Sequence, residues 1–375
     1  MSHPVRFALV GCGGFGRFCL SQFLRLEGLE CAGVADLDHP LAVRTAADFG
    51  VKAWDSVDDL LADKRVDLVY LATPPFTHGL TGLAALNAGK HLLVEKPLAV
   101  TMGAASELVA ASRARGLVLS VNLMMRHSPL CQSVKTLIDS NALGEPLHAH
   151  FVNDARDEIL PPEHWFWDRD LSGGIFIEHG VHFFDLFEWW FGPGKVVAAQ
   201  QLPRPGSGII DQVNCTVVYR NSIFGNFYHG FHQADRRDQQ EWLVVFENGT
   251  LRMKEWVPTT VEIDFVATQS TADEVAGIIP GARLEKAEEY TGAAAQFFSR
   301  HTARTADGRF LLTTEPVAKW DLYGAMVRSL MAEQVGAIRT PGAARLVTEA
   351  NGLSSLAYAV EAQRIASFSD ALLSP

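Results

Sequence analysis

Apolar positions give the chain two textures. Up to about Val121, short runs that are apolar throughout alternate with longer stretches in which apolar residues recur at helical spacing. Val5–Val10 reads as a strand, followed by a turn at Gly11–Gly14 and a helix to about Leu26. Further strands are expected at Glu30–Ala35, Val51–Trp54, Leu68–Ala72, His91–Val94 and Leu117–Val121. Helices are expected near Leu41–Phe49, Val57–Ala62, Leu80–Ala88 and Thr101–Arg115. Strands with no polar face, interleaved with helices, imply a parallel sheet covered on both sides.

After about Arg126 the period changes. A helix near Pro129–Asp139 precedes runs that alternate apolar and polar residues, near Pro146–Asn153, Val213–Tyr219, Ser222–His229, Glu241–Glu247 and Thr259–Phe265. Glu247–Thr250 has the composition of a hairpin turn between two of these runs. Strands bunched without intervening helices imply a mostly antiparallel sheet with one solvated or ligand-facing side. Pro203–Gly208 and Ser270–Arg283 read as loops, and helices return near Pro316–Val335 and Ala343–Ile365. The expected architecture is α/β, with a doubly wound parallel sheet over residues 1–124 and an α+β domain over 125–375.

Composition narrows the function classes. Of 375 residues, 48% are hydrophobic and 20% charged, enough apolar material for two sizeable cores. Lys and Arg total 32 against 43 Asp and Glu, a net charge of −11. Such a surface repels phosphate backbones and anionic membranes, so a small-molecule ligand is expected rather than nucleic acid. The five cysteines, Cys12, Cys19, Cys31, Cys131 and Cys215, are odd in number and form no CxxC pair. That pattern fits a reducing cytoplasm better than a disulfide framework or a structural zinc site. The opening residues lack the basic and apolar regions of a signal peptide. The uncharged stretch Leu68–Gly89 contains Pro74, Pro75 and His78. It therefore reads as strand, turn and helix rather than a membrane span.

Three segments carry candidate chemistry. Gly11-Cys12-Gly13-Gly14-Phe15-Gly16 matches G-x-G-x-x-G between a strand and a helix. Such glycines permit a tight turn, a close approach to a pyrophosphate and close helix packing, and the helix N-terminus supplies N–H donors. Asp36 ends the next strand, 20 residues beyond Gly16, where a carboxylate meets ribose hydroxyls and repels a 2′-phosphate. NAD is therefore favoured over NADP. Glu95-Lys96-Pro97 follows a strand at the carboxyl edge of the sheet, where ligands of open α/β sheets bind. In Ser172–Asp185, a helix would place Glu178 and His182 four residues apart on one face, an imidazole with a carboxylate to orient it. The alternative for His182 is a hydrogen-bonded core residue.

Arg126, at the domain junction, either anchors substrate or pairs with a carboxylate. Trp165, Trp167, Trp189 and Trp190 either stack on a sugar ring or pack in cores. The His179, His182, His229 and His232 set matches no compact zinc signature, so no metal is expected.

Together these stretches resemble the glucose–fructose oxidoreductase / inositol dehydrogenase / rhizopine catabolism family, Gfo/Idh/MocA. The resemblance rests on Val5–Gly16, Leu71-Ala-Thr73-Pro74 with His78, Ala88–Ala99, Arg126 and Ser172–Asp185. It implies an NAD(P)-binding Rossmann domain followed by a domain whose open-faced sheet lines the substrate site and mediates homo-oligomerisation, as a dimer or tetramer. It implies hydride transfer between nicotinamide and a secondary carbinol of a sugar, cyclitol or related polyol. The family's motif lysine falls on Lys96 and its catalytic histidine on His182. The acid four residues earlier is Glu178 here, one methylene longer than the usual Asp, and His179 stands where relatives often carry a small or apolar residue. The nicotinamide is then expected near Thr73, Pro74, His78, Glu95 and Lys96, with Arg126, His179 and Trp165 on the substrate side. Two alternatives differ in outcome. One is glycoside cleavage with transient use of NAD, motivated by the extra histidines. The other is a non-catalytic NAD-binding sensor.

Overall fold

The computed structural model describes residues 3–157 and 159–373. Its first sheet contains β1 (Val5–Val10), β2 (Leu29–Ala35), β3 (Leu68–Leu71), β4 (His91–Val94) and β5 (Leu119–Val121). All are parallel, in the order β2-β1-β3-β4-β5. The order reverses between β1 and β3, the kind of switch point at whose carboxyl end open α/β sheets bind ligands. Helices Gly14–Phe23, His39–Phe49, His78–Asn87 and Met102–Arg115 make the returns. β3 and β4 carry almost no exposed side chain, as their apolar sequences require.

The expected strand at Val51–Trp54 is instead one parallel bridge between Val34 and Ala53. Val34 bonds to the Lys52 carbonyl and receives Trp54 N–H, after which the Ser56 side chain caps the helix Val57–Ala62 and ends the pairing. The Gly89-Lys90-His91 segment is architectural. Lys90 Nζ donates to the carbonyls of Asp63 and Val66 at 2.7 and 2.8 Å, and His91 Nδ1 accepts from Val118 N–H at 2.9 Å. The entrances to β3 and β5 are thereby tied to the start of β4.

The second sheet has nine strands: β6 (Pro146–Arg156), β7 (Gly194–Pro203), β8 (Ile210–Tyr219), β9 (Ile223–Gln233), β10 (Gln239–Phe246), β11 (Gly249–Lys254), β12 (Thr260–Ala267), β13 (Arg283–Glu289) and β16 (Gly308–Thr313). β14 (Gln296–Ser299) and β15 (Thr302–Thr305) form a separate hairpin. The order is β13-β16-β12-β11-β10-β6-β9-β8-β7, antiparallel except for β6 beside β9. One face is a packed aromatic layer. Trp242 lies 4.4 Å from Phe151, and Phe187 of the helix Val181–Phe191 lies 4.6 Å from Phe227.

Several expectations for this half need correction. Ser270–Arg283 is not a loop. Thr268 caps a helix at Gln269–Ile278 that buries Ala272 and Val275, and the chain enters β13 at Arg283. Turn-forming residues there serve as cap and solvent face. β7, β11, β13, β16 and the β14–β15 hairpin are not among the expected strands. β13 is an exposed edge strand of charged residues, whose composition protects an edge and masks the strand. The turn at Glu247–Thr250 joins β10 to β11, and the last two helices begin at Lys319 and Glu349.

The chain forms two compact units that interleave along the sequence, whereas the pattern placed one cut after residue 124. The first gathers 1–127, 162–185 and 323–363; the second gathers 128–161, 186–322 and 364–375.

Trp242 is fully buried and its indole N–H donates to Glu255 O at 2.8 Å. Replacing it by Ala should destabilise the second unit by about 3–5 kcal/mol. A urea unfolding curve followed by circular dichroism should show a lower midpoint; an unchanged midpoint would contradict the packing described.

Candidate active site

The glycine-rich turn is shaped by contact and by clearance. Gly11 has φ +99°, and a Cβ there would stand 2.5 Å from Ala72 O, just beyond β3; a Cβ on Gly16 would stand 2.2 Å from Gly11 O. These two glycines let β1, β3 and the helix Gly14–Phe23 close together. Gly13 and Gly14 are different: an added Cβ would meet nothing within 4 Å, and no side chain caps the helix there. The open backbone at a helix N-terminus is a cradle for an anion. Beside it, Asp36 accepts from Cys12 N–H at 2.6 Å and from Asp38 N–H at 2.9 Å, which fixes its carboxylate at the end of β2. Each oxygen keeps a further lone pair for a ribose hydroxyl. Phe15 packs on Tyr323, with ring centroids 5.7 Å apart.

Beyond β3, Thr73 Oγ1 lies 2.5 Å from Thr77 Oγ1. His78 is fully buried, with Nδ1 2.7 Å from Pro97 O and Nε2 2.8 Å from Thr73 O. Its ring clamps the loop after β3 to the loop after β4, so it shapes the edge from beneath rather than lining it.

The strand ladder continues one residue past β4 and β5. Glu95 N–H bonds Leu71 O, and Asn122 N–H bonds Val94 O, both at 2.8 Å. Tyr70 O–H and Asn122 Nδ2 both donate to Glu95 Oε1, the latter at 2.6 Å. Burial nevertheless pushes the Glu95 carboxyl up to about 7, against those donors and the charge of Lys96.

Lys96 Nζ donates to the backbone carbonyl of Glu178 at 2.8 Å and to its carboxylate. Glu178 lies in a π-turn, Phe176–Gly180, that runs into the helix Val181–Phe191. Such wide turns recur at functional sites. His182 follows in the first α-turn, 5% exposed. Its imidazole is pushed down to about 3, first by burial and then by the Lys96 charge. Lys96, Glu178 and His182 are thus brought together.

The other candidates have contacts of their own. Arg126 pairs with Asp185 through two 2.8 Å bonds and is 6% exposed, which decides between its two readings. It fixes the helix one turn past His182. Trp165 sits in an aromatic run, 5.3 Å from His164, and His179 lies 5.2 Å from Phe183. Tyr70 and Asn122 were not foreseen. The only signals were a lone hydroxyl inside the buried strand Leu68–Leu71 and the first amide past β5. Among the described residues no group of three or more His, Cys, Asp and Glu is placed to hold a metal ion, and no helix is long and apolar enough to cross a membrane.

Comparison with known proteins bears on the fold and the family. Residues 5–123 match the model of the oxidoreductase family with an NAD-binding Rossmann fold, and residues 131–252 match the GFO/IDH/MocA C-terminal domain. The chain is 32% identical over 244 residues to a dTDP-3,4-didehydro-2,6-dideoxy-alpha-D-glucose 3-reductase of Saccharopolyspora spinosa, covering 64% of this chain and 73% of that one.

The chain belongs to the Gfo/Idh/MocA oxidoreductase family.

It is also 29% identical over 233 residues to a 1,5-anhydro-D-fructose reductase of Ensifer adhaerens, covering 60% of this chain and 69% of that one. Among solved structures, the WlbA dehydrogenase of Bordetella pertussis, in complex with NADH and UDP-GlcNAcA, shares the fold. Its TM-score is 0.79 at 19% identity, covering 98% of this chain and 97% of that chain. In this NAD-binding oxidoreductase family member, the backbone at Gly13–Gly14 is open and the Asp36 carboxylate is fixed beside it.

Buried groups set how this fold answers pH, with His78 and His91 shifted in the same downward sense as the two rings that follow. His182 and His229 are both pushed down to about 3 by burial, whereas an unfolded histidine titrates near 6.5. Below that value the unfolded chain binds protons that the native state refuses. Stability then falls by about 1.4 kcal/mol per pH unit for each ring. Glu95 acts in the opposite sense between about 7 and its ordinary 4.5, because the native carboxyl holds its proton there, and it offsets one ring. The urea midpoint should therefore be lower at pH 5 than at pH 7; equal midpoints would contradict these assignments.

Proposed function

We propose that the protein is an NAD-dependent dehydrogenase or reductase that interconverts a secondary carbinol and a ketone on a sugar, sugar derivative or cyclitol. The observation that carries this reading is the Lys96–Glu178 pair with His182 beside it, at the carboxyl edge of a sheet whose glycine turn is open to a dinucleotide. The bound nicotinamide supplies the hydride acceptor, or the donor in reverse.

The protein's own groups handle the proton and the charge. His182 is neutral, since burial and the Lys96 ammonium both disfavour its protonated form, so it is ready to take the hydroxyl proton. In reduction the same environment makes its imidazolium a strong acid. Lys96 donates to the carbinol oxygen as negative charge develops there. Glu178 orients Lys96 through two acceptors, its carboxylate and its backbone carbonyl. Asp36 favours NAD over NADP by repelling a 2′-phosphate. The cytoplasmic setting accords with five free thiols. A homo-oligomeric dimer or tetramer rests on the family's habit, and light scattering would read it as two or four times 41.0 kDa.

A spectrophotometric screen of polyols, aldoses and glycosides with NAD and NADP tests the reading. Turnover with NADH appearing at 340 nm is expected. Glycoside cleavage without net NADH would replace net oxidation by a transient one, and NAD binding without any turnover would favour a sensor. In the same assay His182→Ala should lower turnover by about 10²-fold or more while NAD still binds. Undiminished turnover would remove His182 from its role.

A further inference from the structure

We infer that Glu95 couples proton binding to the oxidation state of the cofactor, standing ionised opposite oxidised nicotinamide and protonated opposite the reduced ring. The inference rests on the NAD reading above and adds a role for a buried acid that the proton-transfer scheme leaves idle.

The first support is placement. Glu95 is joined by Tyr70 from β3 and by Asn122 from the residue after β5, so three neighbouring strands converge on one carboxyl at the sheet's carboxyl edge. Both side-chain donors arrive on Oε1, beside a backbone bond from Lys96 N–H to the carboxylate, so a proton on Oε2 breaks neither side-chain bond. The Tyr70 and Asn122 bonds therefore survive in both protonation states, unlike an ion pair, which one state destroys.

The second support is charge balance. Lys96 and Glu178 cancel each other, and His182 is neutral. Glu95 then decides the net charge of this edge, −1 when ionised and 0 when protonated. The groups facing it do not compete for that role near neutral pH. Tyr70 from β3, Cys19 from the helix Gly14–Phe23 and Tyr323 from the helix Lys319–Arg339 are all pushed upward and stay uncharged, and Asn122 does not titrate. Lys96, on its own segment, is committed to Glu178. Oxidised nicotinamide carries one positive charge and the reduced ring none. In a poorly solvated site that difference acts on a nearby carboxyl with little screening. The Glu95 carboxyl, with its midpoint near neutrality, can respond at working pH. Binding of the reduced cofactor then draws a proton from solvent onto Oε2, and binding of the oxidised cofactor releases one.

The test is calorimetric titration of the full chain with NAD+ and with NADH, at several pH values, in two buffers of different ionisation enthalpy. The expected result is proton uptake with NADH and release with NAD+. The ratio of the NAD+ to the NADH dissociation constant should fall by about threefold or more between about pH 6.5 and 8, within the roughly tenfold per unit that one proton allows. Glu95→Gln keeps an oxygen for Tyr70 and Asn122 but cannot titrate, so its ratio should be flat. Tyr70→Phe removes a donor to the ionised form, so its transition should move to higher pH. A flat ratio in the unmodified protein, a slope retained in Glu95→Gln, or an unmoved transition in Tyr70→Phe would overturn the inference and leave the NAD reading standing. Failure of both cofactors to bind would overturn that reading and the inference with it.

Discussion

Lys96 leaves the first sheet two residues after β4 and ends on Glu178, 82 residues further along the chain. That ion pair fixes the rest of the site. Its lysine is held at the sheet edge by β4, and its carboxylate is presented by a π-turn that leads directly into His182. Both side chains are mostly out of water, at 20% and 11% exposure, so neither charge is cheap to hold alone. The pair is better understood as a device for placement than as a source of stability. It sets an ammonium beside an imidazole, and the ammonium helps to keep the imidazole neutral.

A second ion pair supports the first. Arg126, just past β5, grips Asp185 three residues after His182, and its burial makes the contact a fixed strut. His78 sits between the Thr73 and Pro97 carbonyls beneath the sheet's carboxyl edge, and at the opposite end of the strands Lys90 donates to two carbonyls. Much of the sequence signature around Ala88–Ala99 is therefore architectural: Lys90 and His91 tie loops, while Glu95 and Lys96 stand at the carboxyl edge beside Asn122 and Glu178. A motif that reads as one unit divides into scaffold and site only when its contacts are known.

What could be read in the sequence follows from the range of each interaction. The apolar runs of β1, β3 and β4 announce a parallel sheet because burial on both faces is a local property. The glycine turn and Asp36 are legible for the same reason, since a strand, a turn and a helix follow one another directly. Glu178 and His182 share a segment, so spacing alone suggested a link. The Tyr70–Glu95–Asn122 knot was not legible, because its members meet through the lateral order of β3, β4 and β5. Arg126 was undecidable for the same reason: nothing local says that Asp185, 59 residues away, is its partner. In the second unit, charge hid the edge strand β13 and turn-forming residues hid the helix Gln269–Ile278. There solvent exposure, not core packing, had chosen the residues.

The central claim is that Lys96 and Glu178 act as one unit in placing charge beside His182. A double-mutant cycle on turnover with Lys96→Met, Glu178→Gln and the combined variant tests it most directly. If the two form one device, either single change should cost most of the activity, and the combined variant should be little worse than the poorer single one. Losses that multiply, as for independent residues, would contradict the account.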